Sequence, residues 1–182
     1  MLLRQCFLCL YKTFIMGDIK NLEDKEAIKK IIEIAKDQTC LFCTFTREYA
    51  ISARPMSTQA VEDDGTIWFF SSKQSNKNRE IGNKNKVQLL YGDPGKSDYM
   101  SVEGSVVITE DKKKTDELWT PIIKTWFQEG KDDPNLTLLK ITPSDAYYWD
   151  TKHGKMVSFL KIMASVVVGK TMDDGIEGKL DL

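Results

Sequence analysis

The sequence predicts a mainly β, α+β fold in which antiparallel strands close into a barrel with helices on its flank. Three observations carry this. Between residues 39 and 108, short runs rich in β-branched and aromatic residues recur, separated by turn residues. Two separators, Asp63-Asp64-Gly65 and Asp93-Pro94-Gly95, have hairpin composition, so the strands they join run antiparallel. Helical periodicity is confined to two segments outside that run, about 22–36 and 111–128. Short antiparallel strands linked by tight turns favour a closed barrel over an open parallel sheet.

Residues 1–15 precede the predicted fold. Arg4 stands before CFLCLY, and Lys12 then interrupts the apolar stretch. The long apolar core and small-residue cleavage site of a signal peptide are missing. Met16-Gly17-Asp18 follows, and the expectation is a leader upstream of the true start, with Met16 as initiator and one domain over 16–182. Asn21 stands where N-myristoylation calls for Ser or Thr.

The first helix, about 22–36, presents Ile28, Ile31, Ile32 and Ala35 as its buried stripe. Asn21 is its predicted N-cap, and Lys25, Lys29, Lys30 and Lys36 form its solvated face. TCLFCTFT (39–46) is a strand. AISARPMSTQAVE (50–62) follows, then the Asp63-Asp64-Gly65 hairpin and TIWFFSS (66–72). SNKNREIGNKN (75–85) is a short helix or turn before the strands VQLLYGD and YMSVEGSVVIT. In the second helical region, Leu118, Ile122 and Trp126 recur every four residues, and Pro121 interrupts them. LTLLKITP and AYYWD are predicted as two further strands, and DDGIEGKLDL as a polar finish. Gly104, within a strand, predicts a close backbone approach, and Asp132-Asp133-Pro134 a turn.

Composition narrows the function classes. Of 182 residues, 26 are basic and 27 acidic, leaving a net charge of −1. That argues against nucleic-acid binding by bulk electrostatics but allows a local basic pocket. No apolar run reaches the roughly 18 residues of a membrane span. Cys6-x2-Cys9 and Cys40-x2-Cys43 imitate zinc-ligand spacing. However, Cys40 and Cys43 lie three apart on a strand and so face opposite sides, unsuited to gripping one ion. No metal site is expected, and reduced cytoplasmic thiols follow from the absence of an export signal.

The most informative stretch is 51–81. A hairpin followed by a helix start can bring Arg54, Ser71, Ser72 and Lys77 to one end of a barrel. Two cations, two hydroxyls and backbone N–H groups at a helix N-terminus make a phosphate cradle. Each cation alone is an ordinary surface charge; their order and spacing favour the cradle.

The order RPMS, IWFFSS, S-x-K with a following EI, VQLLY and VEG resembles the pyridoxamine 5'-phosphate oxidase-like FMN-binding split barrels. The later WTP, WF-x-x-G-x-DDP and A-x-YWD resemble its general-stress-protein branch. The resemblance covers about residues 22–182. It implies a six-stranded antiparallel split β-barrel with flanking helices, and a homodimer with FMN, or alternatively FAD, at the subunit interface. By position, Arg54 and Lys77 would hold the phosphate, with Ser71, Ser72 and Asn76 as neutral donors. Pro55, Met56, Ser57, Thr58 and Gln59 would run along the isoalloxazine, and Phe70 would line the same cleft. Tyr99 and Trp149 would approach from the partner subunit, and Trp119, Trp126 and Phe127 would cover the exposed ring face, with core packing as their alternative role.

Departures matter as well. The substrate-holding Arg-Leu-His-Asp-Arg segment of the true oxidases is replaced by Thr151-Lys152-His153-Gly154-Lys155, which argues against vitamin B6 oxidation. The leading expectation is an FMN-dependent oxidoreductase acting with a small-molecule electron donor or acceptor. With no G-x-G-x-x-G fingerprint, a nicotinamide would visit only transiently. The alternative is a non-catalytic general stress protein that stores, buffers or senses flavin.

Overall fold

The computed structural model describes residues 18–46, 48, 50–151 and 175–182. The predicted leader, with Cys6 and Cys9, and His153 with its neighbouring lysines lie outside the described residues. Two short strands, β1 (Asp18–Ile19) and β2 (Leu22–Glu23), lead into helix α1 (Asp24–Ala35). The hairpin of β3 (Thr39–Phe45) and β4 (Ile51–Ser57) follows, then β5 (Ala60–Val61), β6 (Ile67–Ser72) and helix α2 (Asn76–Asn83). A second long hairpin joins β7 (Lys86–Asp93) to β8 (Asp98–Thr109). Helix α3 (Lys112–Leu118) and 3-10 turns at Pro121–Thr125 and Gly130–Asp132 lead into β9 (Leu136–Thr151) and β10 (Gly175–Asp181).

The sheet runs β1-β10-β9-β8-β7-β3-β4, with β6 on the first part of β9 and β5 on β6. All of these pairings are antiparallel except those of β1 and β2 with β10. The single strand β9 spans both segments predicted as separate strands. Its first residues pair with β6, and a bulge between Glu103 and Gly104 re-aims β8 along it. Gly104 serves the close approach its position predicted: a Cβ there would sit 2.7 Å from the Thr142 carbonyl oxygen.

The strands wrap around one core, in which Phe42 of β3 meets Phe69 of β6 edge to face at 5.3 Å. The ring of strands does not close, however. β4 pairs only with β3, and no ladder joins β4 to β6 among the described residues. The barrel suggested by the strand pattern is thus open between β4 and β6: it is the six-stranded split barrel that the resemblance implied, built from β3, β4, β6, β7, β8 and β9.

Several local expectations shift. α1 buries Ala27, Ile31, Ile34 and Ala35, while Ile28 and Ile32 are only half-buried. Lys30, expected in solvent, lies on the buried face, where its ammonium meets Asp150 at 2.6 Å. Burial disfavours that charge, but the Asp150 hydrogen bond and both neighbouring carboxylates outweigh it and raise the Lys30 pKa. Asn21 does not cap α1; its Oδ1 accepts from the Lys179 backbone N–H and ties the chain to β10. That β10 is a strand corrects the polar finish predicted for this segment. Pro121 resets the helical phase of the second region. Ile122 and Trp126 are consequently two-thirds exposed, while Ile123 and Phe127 are buried. Cys40 and Cys43 are both buried, and no metal-ligating cluster exists among the described residues.

Candidate functional site

The split between β4 and β6 opens a cleft of about 340 Å³, in the size range of small-molecule sites. One wall is the free edge of β4 with its continuation, Pro55, Met56, Ser57 and Gln59. The opposite wall is β6, through Phe70, Ser71 and Ser72, and Lys77 enters from the first turn of α2. The remaining side comes from the 3-10 segment, with Ile123, Trp126 and Phe127.

The polar end is made by local structure. β6 ends at Ser72, and Ser75 caps α2 by accepting the Asn78 backbone N–H at 3.3 Å. No acidic residue stands in that first turn, so the positive end of the helix dipole is uncompensated by side chains. Lys77 is partly buried and forms no ion pair among the described residues. Burial, and after it the Arg54 charge, push its pKa below the ordinary lysine value. The Ser72 hydroxyl has no internal partner among the described residues. An ammonium, a hydroxyl and helix N–H groups thus converge where an anion would be welcome.

Arg54 stands apart from the cleft wall. Its guanidinium donates to Thr44 Oγ1 at 2.9 Å, to the Ser52 carbonyl and hydroxyl, and to Glu80 Oε2 at 2.9 Å. Burial opposes ionisation of Glu80, but the hydrogen bonds from Thr44 and Arg54 outweigh it and lower its pKa. Arg54 therefore supplies positive potential behind Lys77 with its own charge already partnered.

The apolar end is aromatic. Phe70 packs against Trp119 at 6.1 Å and Phe127 at 6.4 Å. Trp126 is 67% exposed and stands at the rim, on the cleft rather than in the core. Periodicity misdirected attention from Ile123, because the Pro121 phase reset is not visible in a four-residue repeat, whereas Phe127, one of the predicted covering residues, does line the cleft.

Other predicted residues lie elsewhere. Thr58 is buried, with its hydroxyl 2.9 Å from the Tyr91 hydroxyl. Asn76 is exposed, and its Oδ1 accepts from Arg79 instead of facing the cleft. Tyr99 and Trp149 are cross-strand neighbours on β8 and β9, on the outer face of the sheet and away from this chain's cleft. Leu41 and Leu90, paired across β3 and β7, share that face, and both are exposed. Asn78, buried beneath the polar end, carried no functional signal in the sequence.

Comparison with known proteins agrees with this architecture. Residues 26–173 match the family described as Pyridoxamine 5'-phosphate oxidase like. General stress protein 26 of Bacillus subtilis (strain 168) is 38% identical over 86 residues, 46% of this chain and 61% of its own length. The chain thus spans less than two thirds of that relative. The crystal structure of General Stress Protein 26 from Bacillus anthracis str. Sterne is 31% identical, with a TM-score of 0.59, over 68% of this chain and 92% of its own. The general stress FMN/FAD binding protein of Xanthomonas citri is also 31% identical, with a TM-score of 0.60, over 70% of this chain and 90% of its own. The split barrel, the cleft at its opening and these matches together place the chain in the pyridoxamine 5'-phosphate oxidase-like family, among relatives of general stress protein 26.

Proposed function

We propose that the cleft between β4 and β6 binds FMN, and that the protein is a flavin-dependent oxidoreductase acting on a small molecule. The observation that carries this is Lys77: a partly buried cation with no ion pair among the described residues, at one end of a cleft whose other end is aromatic. A phosphate would supply its counter-charge, together with Ser72 and the α2 N-terminus. The flat ring system would lie between Phe70, Phe127 and the β4 edge, whose unpaired backbone groups match a polar ring margin. The Xanthomonas citri relative, named for binding FMN or FAD, supports the same reading.

The division of labour follows from the lining. Lys77 is the only ionisable side chain on the cleft wall among the described residues, so the protein would bind and orient while the flavin supplies electron transfer when bound. Phe70, Ile123 and Phe127 keep water from the ring face, and Trp126 offers a surface beside it for a second molecule.

The proposal includes a homodimer. Tyr99, Trp149, Leu41 and Leu90 form an exposed apolar face on the sheet that leads to β4, and a second copy laid on it would bring its aromatic pair toward this chain's cleft. The absorbance spectrum of the purified protein, with identification of the released flavin, tests the cofactor. Sedimentation at micromolar concentration tests the dimer. Turnover of NADH or NADPH with oxygen or a quinone separates the oxidoreductase from a flavin store. A colourless protein that takes up no added flavin refutes the proposal.

A further inference from the structure

Three polar side chains lie buried beneath the polar end of the cleft: Ser71 at 2%, Asn78 at 6% and Thr137 at 1% exposure. Ser71 and Thr137 face each other across the β6–β9 ladder, and Asn78 belongs to the first turn of α2, directly after Lys77. The proton directions in this group are determined by one fixed point. The Ser71 carbonyl can only accept, so the 2.9 Å bond from Thr137 Oγ1 uses the Thr137 proton. Thr137 Oγ1 must then accept at its 3.1 Å contact with Asn78, which puts the Asn78 Nδ2 toward Thr137. The Asn78 Oδ1 therefore faces Ser71, and Ser71 Oγ donates its only proton to it at 2.5 Å.

We infer that Asn78 is a positioning residue that locks the α2 first turn onto β6 and β9 and commits the Ser71 proton, leaving Lys77 and Ser72 to bind the phosphate. This rests on the flavin reading of the cleft. The Ser71 hydroxyl, for which the sequence predicted a donor role, donates to Asn78 instead, with the Ser75 hydroxyl 3.5 Å away on its other side. An apolar contact would also attach the helix, but an amide with both ends bonded fixes its rotation and its height along the strands. Lys77 and the helix N–H groups are thereby held at one setting relative to Ser72.

The test is titration of the full chain and its N78A, S71A and N78A/S71A variants with FMN and with riboflavin, which lacks the phosphate. Each single variant is expected to lose about ten-fold in FMN affinity, the scale of one strong hydrogen bond. Riboflavin affinity should stay within about two-fold, and the double variant should be no worse than either single one. Additive losses in the double variant would overturn the inference, because Ser71 would then be an independent donor. Equal loss of both flavins in N78A would overturn it too, making Asn78 a support for the whole pocket. If N78A does not fold, T137V takes its place: it should show the same FMN-selective loss, and T137S should restore binding. A wild-type chain that binds neither flavin refutes the cofactor reading, and hydrogen exchange of the ligand-free protein then tests the brace. Faster exchange confined to α2 in N78A supports it, and unchanged or uniformly faster exchange overturns it.

Discussion

Replacing Lys77 by Met separates binding from folding more cleanly than any other change in the cleft. Methionine keeps most of the aliphatic stem that lines the wall and removes only the ammonium. In the ligand-free protein that ammonium has no ion pair among the described residues, and it is disfavoured by burial and by the Arg54 charge. Its loss leaves no orphaned partner, so stability should stay within about 0.5 kcal/mol of wild type or rise. Binding should respond very differently. A charge-assisted contact to a phosphate is worth roughly 1.5–3 kcal/mol, which is about 10- to 150-fold in affinity. The upper part of that range is expected, because Arg54 is already engaged by Glu80 and offers little replacement. Fluorescence titrations with FMN and riboflavin, paired with thermal melts of the ligand-free variant, give both quantities. Equal weakening of the two flavins, or a lowered melting temperature, would refute the assignment of Lys77 to the phosphate.

Three further outcomes follow from the same geometry. Arg54→Ala should act first on stability, costing about 1–3 kcal/mol by leaving the part-buried Glu80 carboxylate without its counter-charge; Glu80→Gln in that background should restore part of the loss in urea melts. Asp98 is pushed up to about 6 by burial and then by its hydrogen bond to Asp150. The native state therefore holds this proton more tightly than the unfolded chain, whose aspartates titrate near ~3.9. That contribution is full below pH ~4 and is lost as pH rises through about 6, so the melting-temperature advantage of Asp98→Asn over wild type should grow from pH 4.5 to 7; a constant difference would contradict it. Gly178→Ala should detach the β1–β2 segment, because a Cβ there would collide with the Lys20 carbonyl that accepts the Tyr148 hydroxyl at 2.8 Å; faster hydrogen exchange confined to residues 18–23 and 175–181 is the expected signature.

The legible parts of this protein were those set by local pattern. Hairpin turns, alternating strands and the Arg54-to-Lys77 order were visible because each depends on residues close in sequence. What escaped depended on distant partners. Lys30 reads as solvent-facing until Asp150, 120 positions later, gives it a buried counter-charge. DDGIEGKLDL reads as a polar finish because β10 obtains its backbone partners from distant segments, β9 on one edge and β1 and β2 on the other. The ion pair of Arg54 depends on Glu80, which α2 brings against it from 26 positions later. Asn78 has no distinguishing signal in the sequence, and only the register of Ser71 against Thr137 brings both partners to its amide.

The position of the cleft follows from the same pairing rules. β5 covers only Ile67 and Trp68 of β6 before it ends, so from Phe69 onward that edge of β6 has no strand neighbour among the described residues. β4 is likewise bonded on one edge only among the described residues. Two bare strand edges would ordinarily invite further strand pairing. Here Lys77 of α2 and the 3-10 segment line the gap between them, leaving a cleft in place of another strand. Pro55, on β4, removes one backbone donor from that edge, which discourages strand addition further. In the flavin reading proposed above, ring binding would therefore rest chiefly on backbone left unpaired by topology, whereas anion binding would rest on Lys77, Ser72 and the N-terminus of α2. Substitutions along Pro55–Ser57 should accordingly affect FMN and riboflavin alike, while those at Lys77 and Ser72 should discriminate between them.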